Sequence, residues 1–162
     1  MTTIGSITPT AIDALIAKLG GNGFTVIDGP GMTDDAIMSA LFVGLNSTDG
    51  MDFIESAALD QGWAWLGHNL RDENVTIHCL AQAVSGDADM KAARDSVFAT
   101  LTAVGTLMQS DPSLGLLAVP VAGINLLQVT EIRAASFKQT QDSERGAIAQ
   151  LSFDIQVRGR VS

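Results

Sequence analysis

Residues 62–115 constrain the fold of this chain more than any other part of the sequence. They contain an aromatic segment, a long strand pattern, an amphipathic helix and a Pro/Gly stop, with few residues between them. The helix is the clearest element, because side-chain oxygens between Ser85 and Asp87 can cap its start and Asp111 and Pro112 end it. Its apolar positions at helical spacing are Met90, Ala93, Val97, Leu101, Val104 and Met108. This stretch predicts an architecture, and nothing in it has the pattern of an active site.

The start of this helix resembles a calcium-binding motif but lacks residues that such a motif needs. Asp87 and Asp89 begin like a calcium-binding loop, but Lys91 and Ala92 stand where a ligand and a glycine are needed. Acidic residues at a helix N-terminus are stabilised by the helix dipole. We therefore interpret the two aspartates as helix-capping acids.

Another helix and two short strands are predicted near the N-terminus. Thr8 can act as the N-cap of this helix, Pro9 occupies its first position, and Gly20 begins the stop. Apolar runs at 24–27 and 37–45 are bounded by turn-forming residues. Their short length favours strands over helices.

The rest of the chain predicts four more strands. Residues 51–61 have no clear period and are interpreted as a loop or an irregular arm, and the polar residues 68–74 as a connection. Residues 147–158 alternate strictly, which is typical of a half-buried strand whose even-numbered side chains point mostly to water. The predicted strands are 62–66, 75–84, 124–133 and 147–158, the last two paired antiparallel through a polar turn at 139–145.

Length and element order together predict one α+β domain over residues 1–162. The chain is long enough for one well-cored domain and too short for two of ordinary size. The order of elements predicts a single mixed or antiparallel sheet of about five to six strands, with two main helices packed on one face. At 46% hydrophobic residues the chain has more apolar surface than a small monomer needs, which favours self-association.

The chain is acidic, with a formal net charge of −9. This charge argues against a groove that follows the phosphates of a nucleic acid. Ordinary solubility is the simplest explanation of the acidity. The alternative is a passage through which DNA slides without sticking, because like charges repel. The single cysteine, Cys79, cannot form a disulfide within the chain and fits a reducing compartment.

The sequence also predicts a location away from membranes. The N-terminal residues have no basic region followed by an apolar one, so we expect no secretory signal and a cytoplasmic protein. Nineteen uncharged residues lie between Asp111 and Glu131, a length close to that of a membrane span. Proline, glycine and polar residues interrupt them, which favours a loop followed by a buried strand.

Few residues could carry chemistry. His78 and Cys79 are neighbours on a predicted strand, so they project to opposite faces and cannot act as base and nucleophile. His68 and His78 lack the spacing of a zinc site, and the glycine clusters match no nucleotide-binding loop. Asp34 and Asp35 could hold a magnesium ion but are better explained by capping or solvation. We therefore predict no catalytic residue, no metal site and no cofactor.

Apolar residues between Met51 and Leu66 form the candidate interface. Trp63 and Trp65 are two apart, so on a strand they share one face, where they either anchor a partner or cover the edge of the core. Met51 and Phe53 add to an interface if their segment is an arm that reaches a neighbour. Leu66 ends a strand whose open edge a neighbouring subunit could complete.

Several segments together resemble the tail-terminator, or tail-completion, proteins of long-tailed, siphovirus-like bacteriophages. They are patterns of element order and composition, cover most of the chain and include no catalytic signature. The loop at 48–60 carries no resemblance. The segments are the first helix with its Gly-Gly end, VIDGPGMTDDAIMSALFVG, GWAWLG, RDENVTIHCLAQAVSGD, MKAARDSVFATLTAV, DPSLG and the closing LSFDIQVRGRVS.

The resemblance implies a structural virion protein and no enzyme. Such a subunit would form a ring, commonly a hexamer, on the head-proximal end of the tail tube, where it would end tube polymerisation and offer a surface for head joining. Its partners would be further copies of itself, the major tail tube protein and a head-completion or connector protein. DNA would pass through the lumen without specific binding, and the protein would move from the host cytoplasm into the virion.

Two other functions fit the same sequence. A tail-tube or head-closure connector subunit could share this element order, but a tube subunit should polymerise into long tubes. A small oligomeric enzyme would have to use Asp34, Asp35 and His68, the most plausible polar centre in the sequence. Alanine replacements that leave assembly intact and abolish turnover would support that enzyme.

Overall fold

The computed structural model describes residues 5–30, 39–45, 53–65 and 70–162, and the side chains of Ala64 and Trp65 are not included in that description. Within these ranges, two helices and a mixed six-stranded sheet make an α+β fold, as the sequence predicts. The elements in chain order are α1 (Thr8–Gly20), β1 (Val26–Asp28), β2 (Ala40–Val43), β3 (Ala57–Trp65), β4 (Leu70–Ser85), α2 (Met90–Ser110), β5 (Ile124–Asp142) and β6 (Gly146–Val161).

The long strands β4 and β6 form the centre of the sheet. The strand order is β1-β2-β4-β6-β5, and β3 also pairs with β4. On one side of β4, β3 pairs with residues 70–77 and β2 with residues 79–82, while β6 pairs along the other side. The β1–β2 pair is parallel and the other recorded pairs are antiparallel. In consequence β3 and β5 lie at opposite edges of the sheet.

The main core lies between the two helices and one face of β4 and β6. Odd-numbered residues of both strands face the helices, because successive side chains of a strand alternate between its faces. Both helices contribute to the same cluster, so they cover the same face of the sheet. Central members of the cluster are Leu15, Leu19, Ile77, Cys79, Val97, Val104, Leu151, Phe153 and Ile155.

The other face of the sheet is partly covered, contrary to expectation. A second apolar cluster contains Phe42 and Leu80, with Ile54 packed against it. Ile148 and Ser152 of β6 are buried, so the prediction that they point to water is wrong. Alternation separates the two faces of a strand, but it does not reveal which distant segments cover the second face.

The start of α1 is held by a distant carboxylate instead of its own side chain. Thr8 is the first helical residue, so its prediction as N-cap is wrong; the N-cap is Ile7, which has no side-chain oxygen. Glu73 of β4 is buried and accepts hydrogen bonds from the Ile7 amide at 2.9 Å, from the Thr8 hydroxyl at 2.8 Å and from the Ser6 hydroxyl. A negative charge at this position also complements the helix dipole.

The start of α2 is capped by one of the two predicted acids. The side chain of Asp89 accepts a hydrogen bond from the Ala92 amide at 3.0 Å. Ser85 is the last residue of β4, and the Ala88 amide bonds back to its carbonyl in a turn, so a cap between Ser85 and Asp87 is wrong. The predicted end is confirmed, since Asp111 is the C-cap.

Three strands are longer than their apolar patterns indicate. β3 begins at Ala57, inside the predicted arm, and β4 includes residues 70–74 of the predicted connection. β5 continues to Asp142 and is largely exposed, so a short buried strand is also wrong. Backbone hydrogen bonds extend each pairing through polar residues, whose side chains give no periodic apolar signal. Among the described residues, no helix is long and apolar enough to cross a membrane.

Candidate functional site

An apolar surface lies along the outer edge of β3. Phe53 is fully exposed just before the strand, and Leu59 and Trp63 on the strand are 56% and 52% exposed. Large apolar side chains exposed on an edge strand are candidates for an interaction site. We call Phe53, Leu59 and Trp63 the β3 patch. It contains two of the residues that the sequence predicts for an interface.

Trp63 is held in place by a buried arginine. The guanidinium of Arg71 lies 4.3 Å from the centre of the Trp63 ring, and it donates a hydrogen bond to the Gly5 carbonyl at 2.9 Å. Arg71 itself is 8% exposed. A cation over an indole contributes about 0.5–2 kcal/mol. The tryptophan is therefore fixed through the Arg71 contact while half of its surface stays open.

The structure does not describe the side chains of the other predicted site residues. Met51 and Leu66 lie outside the described residues, as do Asp34, Asp35 and His68 of the alternative enzyme. The strand includes Trp65, whose side chain is not described. A register shift falls between Trp63 and Trp65, and the shared face of the two side chains stays a prediction.

A second apolar surface was not predicted. Leu117 and Val119, in the turns after α2, are 87% and 71% exposed, and Leu126 near the start of β5 is 42% exposed. We call these three residues the loop patch. The sequence predicts only a loop followed by a buried strand between Asp111 and Glu131. The signal that could have found the patch is the run LLAVPV, which is unusually apolar for exposed turns.

The backbone beneath the loop patch is fixed by hydrogen bonds. The Pro112 carbonyl accepts from the Val129 amide at 2.7 Å, and the Ser113 hydroxyl donates to Asp111 at 2.8 Å. Asp111 also forms an ion pair with Lys18 of α1 at 3.0 Å, and these bonds lower the pKa of its carboxyl group. The apolar side chains are therefore displayed on an ordered support.

The two patches lie at opposite edges of the same four-strand row. Leu126 pairs with Arg160, Arg160 pairs with Asp72, and Asp72 pairs with Gly62, the neighbour of Trp63. Three strand spacings separate the ends of this row, or about 14 Å. The Arg160 guanidinium and the Asp72 carboxylate form two hydrogen bonds, at 2.6 and 3.1 Å, across its centre. The paired strands β4 and β6 therefore lie between the two apolar surfaces.

A charged cluster lies on the face of the sheet away from the helices. His78 of β4 contacts two carboxylates, with Nδ1 2.7 Å from Asp154 and Nε2 2.8 Å from Glu55. Both ring nitrogens can donate only when the imidazole is protonated. Partial burial lowers the pKa of His78, but its hydrogen bonds to the two carboxylates outweigh this effect and the net shift is upward. The imidazole of His78 thus links Glu55 to Asp154 of β6.

This cluster does not have the geometry of a metal site or of a nucleophilic pair. The two carboxylates lie on opposite sides of the imidazole, and among the described residues no group of three or more His, Cys, Asp or Glu could hold a metal ion. Cys79 points into the main core, where burial raises the pKa of its thiol strongly. A groove of about 350 Å³ beside His78 is lined by Leu80, Ser136, Lys138, Gln150 and Ser152.

Comparison with known proteins adds no further constraint. No family model and no curated protein matches this chain. Its function must therefore be inferred from its own surfaces, of which the two apolar patches are the most distinctive.

Proposed function

We propose that this chain is a structural subunit that assembles into a ring on the head-proximal end of a bacteriophage tail tube. As a tail terminator it would end tube polymerisation and offer a joining surface to a head-completion or connector protein. The ring would be a homo-oligomer, and the resemblance to tail terminators implies a hexamer. The protein would then act through the shape of the ring and not through catalysis. One ring face would match the last layer of tube subunits, and the other face would not.

The β3 patch is the observation that supports this proposal most directly. Leu59 and Trp63 are exposed on β3, which pairs with β4 alone among the described strands, and Phe53 is exposed just before it. An edge strand can pair with another chain through its backbone N–H and C=O groups. An assembly subunit uses such an edge, whereas an isolated monomer has to protect it. Trp63, held by Arg71, has the character of an interface anchor, since large aromatic side chains on fixed supports dominate binding energy.

The overall charge fits the passage of DNA through such a ring. With a formal net charge of −9, each subunit repels a polyanion, and six subunits around a lumen would do so more strongly. A DNA-retaining protein would instead need a basic surface. The proposed lumen is therefore one through which DNA moves without specific binding.

The test combines mass measurement with tube capping. We expect light scattering on a sizing column to give a discrete species near six times 16.9 kDa, or a monomer that converts to such a ring when tail tubes are added. Electron microscopy should then find the protein at one end of each tube. Added before polymerisation, it should shorten the tubes.

Other results would assign the chain elsewhere. Open-ended polymers of the purified protein would indicate a tube subunit, and a ring that binds heads but not tubes would indicate a head-closure connector. A monomer or dimer that does not bind tail tubes would contradict the proposed ring assembly. In that case alanine replacement of Asp34, Asp35 and His68, with a turnover assay, would test the alternative enzyme.

A further inference from the structure

We propose that the β3 patch of one copy docks on the loop patch of a second copy, in a head-to-tail contact. This inference rests on the proposed ring function and identifies the two surfaces that would build it. A contact between two different surfaces repeats from copy to copy and closes into a ring when the rotation allows. A contact of one patch with itself would stop at a dimer.

The loop patch has the shape to receive a side chain from a protein. A depression of about 100 Å³ lies beside Leu117 and Leu126, with Pro120, Val121 and Ile124 in its lining. Small-molecule sites usually have about 300–1,000 Å³. A space this small suits one apolar side chain, such as Leu59 or Phe53 of a neighbouring β3 patch.

Charge favours the head-to-tail contact over contact between two β3 patches. The described residues 53–65, which contain the β3 patch, include the acidic Glu55 and Asp60 and no basic residue. Residues 112–130, which contain the loop patch, carry no charged side chain. Pairing two β3 edges would bring two acidic segments together, whereas a head-to-tail contact places one acidic segment against an uncharged one.

The position of the patches supports the same geometry. They lie at opposite ends of one row of paired strands, about 14 Å apart through a rigid sheet. A second copy on the loop patch would therefore leave the β3 patch of the first copy open to a third. Both surfaces are anchored, Trp63 by Arg71 and the loop by Asp111, so docking requires little ordering of the surfaces.

Two single substitutions and their mixture test the contact. Leu59→Arg damages the β3 patch and Leu117→Arg damages the loop patch, and we expect each variant alone to be monomeric, with at least tenfold weaker self-association than the unchanged chain. An equimolar mixture retains one intact contact, so it should form heterodimers of twice 16.9 kDa and no ring. Thr102→Arg, on the exposed face of α2, adds the same charge outside both patches and should assemble normally.

The outcomes separate the contact from the function. If Leu117→Arg still dimerises, or if both variants still form rings, the head-to-tail contact is overturned while the terminator function stands. If the variants behave as expected but the unchanged ring fails to cap tail tubes, the contact stands and the proposed function is overturned. An unchanged chain that stays monomeric with and without tubes overturns both.

If an arginine variant fails to fold, a pair of cysteine variants tests the same contact by cross-linking. Leu59→Cys and Leu117→Cys are mild changes at exposed positions, and the natural Cys79 is buried and should stay reduced. Under mild oxidation we expect disulfides between the two variants in a mixture and few within either variant alone. Cross-linking of Leu59→Cys with itself as the main product would overturn the inference.

Discussion

Glu73 fixes the start of α1 across a separation of 66 residues in sequence. Its carboxylate takes the place of a local N-cap and accepts from the backbone and side chains of residues 6–8. The Gln61 side chain also donates to it, at 3.2 Å, which brings β3 into the same cluster. One buried side chain thus couples the helix, the central strand and the edge strand that carries the β3 patch.

Substitution of Glu73 should destabilise the protein measurably. Glu73→Gln keeps the shape but removes the charge and one acceptor oxygen, so we expect the free energy of unfolding to fall by about 1.5–3 kcal/mol. Urea unfolding at neutral pH, followed by circular dichroism, measures the change. Glu144→Gln, at an exposed position in the β5–β6 turn, is the matched control and should change stability by less than about 0.5 kcal/mol. Equal effects of the two substitutions would contradict the capping role.

His78 should make stability depend on pH. Its folded pKa lies above the ordinary value of 6.5, because the carboxylates of Asp154 and Glu55 outweigh the effect of burial. A group with a raised folded pKa contributes stability that is complete below the unfolded pKa and is lost as pH rises through the folded pKa. We expect the free energy of unfolding to fall over this range, and His78→Gln to flatten the fall.

The control for His78 is the other histidine. His68→Gln should retain the pH dependence, and comparison of urea midpoints from pH about 5.5 to about 9 separates the two residues. At pH about 6, His78→Gln should lower stability by roughly 1 kcal/mol, since Asp154 is partly buried and Glu55 is exposed. An unchanged profile in His78→Gln would show that the ion pairs contribute nothing.

At the scale of elements, two glycines lie in opposite environments, one crowded and one open. Gly146 begins β6 with φ +91°, and an added Cβ would lie 2.1 Å from the Ser85 carbonyl oxygen. Gly105, within α2, has open space around it. We expect Gly146→Ala to cost at least about 2 kcal/mol, from backbone strain and the clash. Gly105→Ala should gain about 0.5–1 kcal/mol, because alanine favours a helix interior.

Thermal and urea unfolding of these two variants check the element assignments together. Both variants replace glycine with alanine, so opposite signs of the stability change would reflect the local backbone at each position. A stabilised Gly146→Ala variant would contradict the tight β5–β6 hairpin beside the end of β4. A destabilised Gly105→Ala variant would contradict open space at this position of α2.

The sequence predicts elements well where one face alone is apolar and poorly where contacts are distant. It predicts α2 and the buried odd-numbered face of β6, because these depend on local periodicity. It does not predict the Glu73 cap or the His78 ion pairs, since both join residues far apart in sequence. The loop patch was missed for another reason: turns have no period that separates displayed apolar residues from buried ones.

At the scale of the whole molecule, the sheet separates an apolar surface beside acidic residues from an apolar surface without charge. The described segment 53–65 carries Glu55 and Asp60 and no basic residue, whereas residues 112–130 are uncharged, so the subunit is electrostatically polar from one surface to the other. Such polarity favours a repeating contact between unlike surfaces over a symmetric one. In the proposed ring, the net charge of −9 on each subunit would repel DNA in the lumen.

Salt dependence of self-association distinguishes these two kinds of contact. Raising ionic strength from about 0.05 to about 0.5 M shortens the screening length from roughly 14 to roughly 4 Å. A head-to-tail contact between an acidic segment and an uncharged one should weaken by less than about tenfold, because apolar burial supplies most of its energy. A contact between two acidic β3 edges should instead strengthen, since salt screens their repulsion.

Sedimentation or light scattering over this range, at several protein concentrations, measures the effect. Sulfate in place of chloride should strengthen the association, as it does for apolar burial in general. Leu59→Arg is the matched control, because loss of the β3 patch should leave little association for either salt to change. Marked strengthening of the unchanged chain by sodium chloride would contradict the head-to-tail arrangement and indicate that like-charged edges meet.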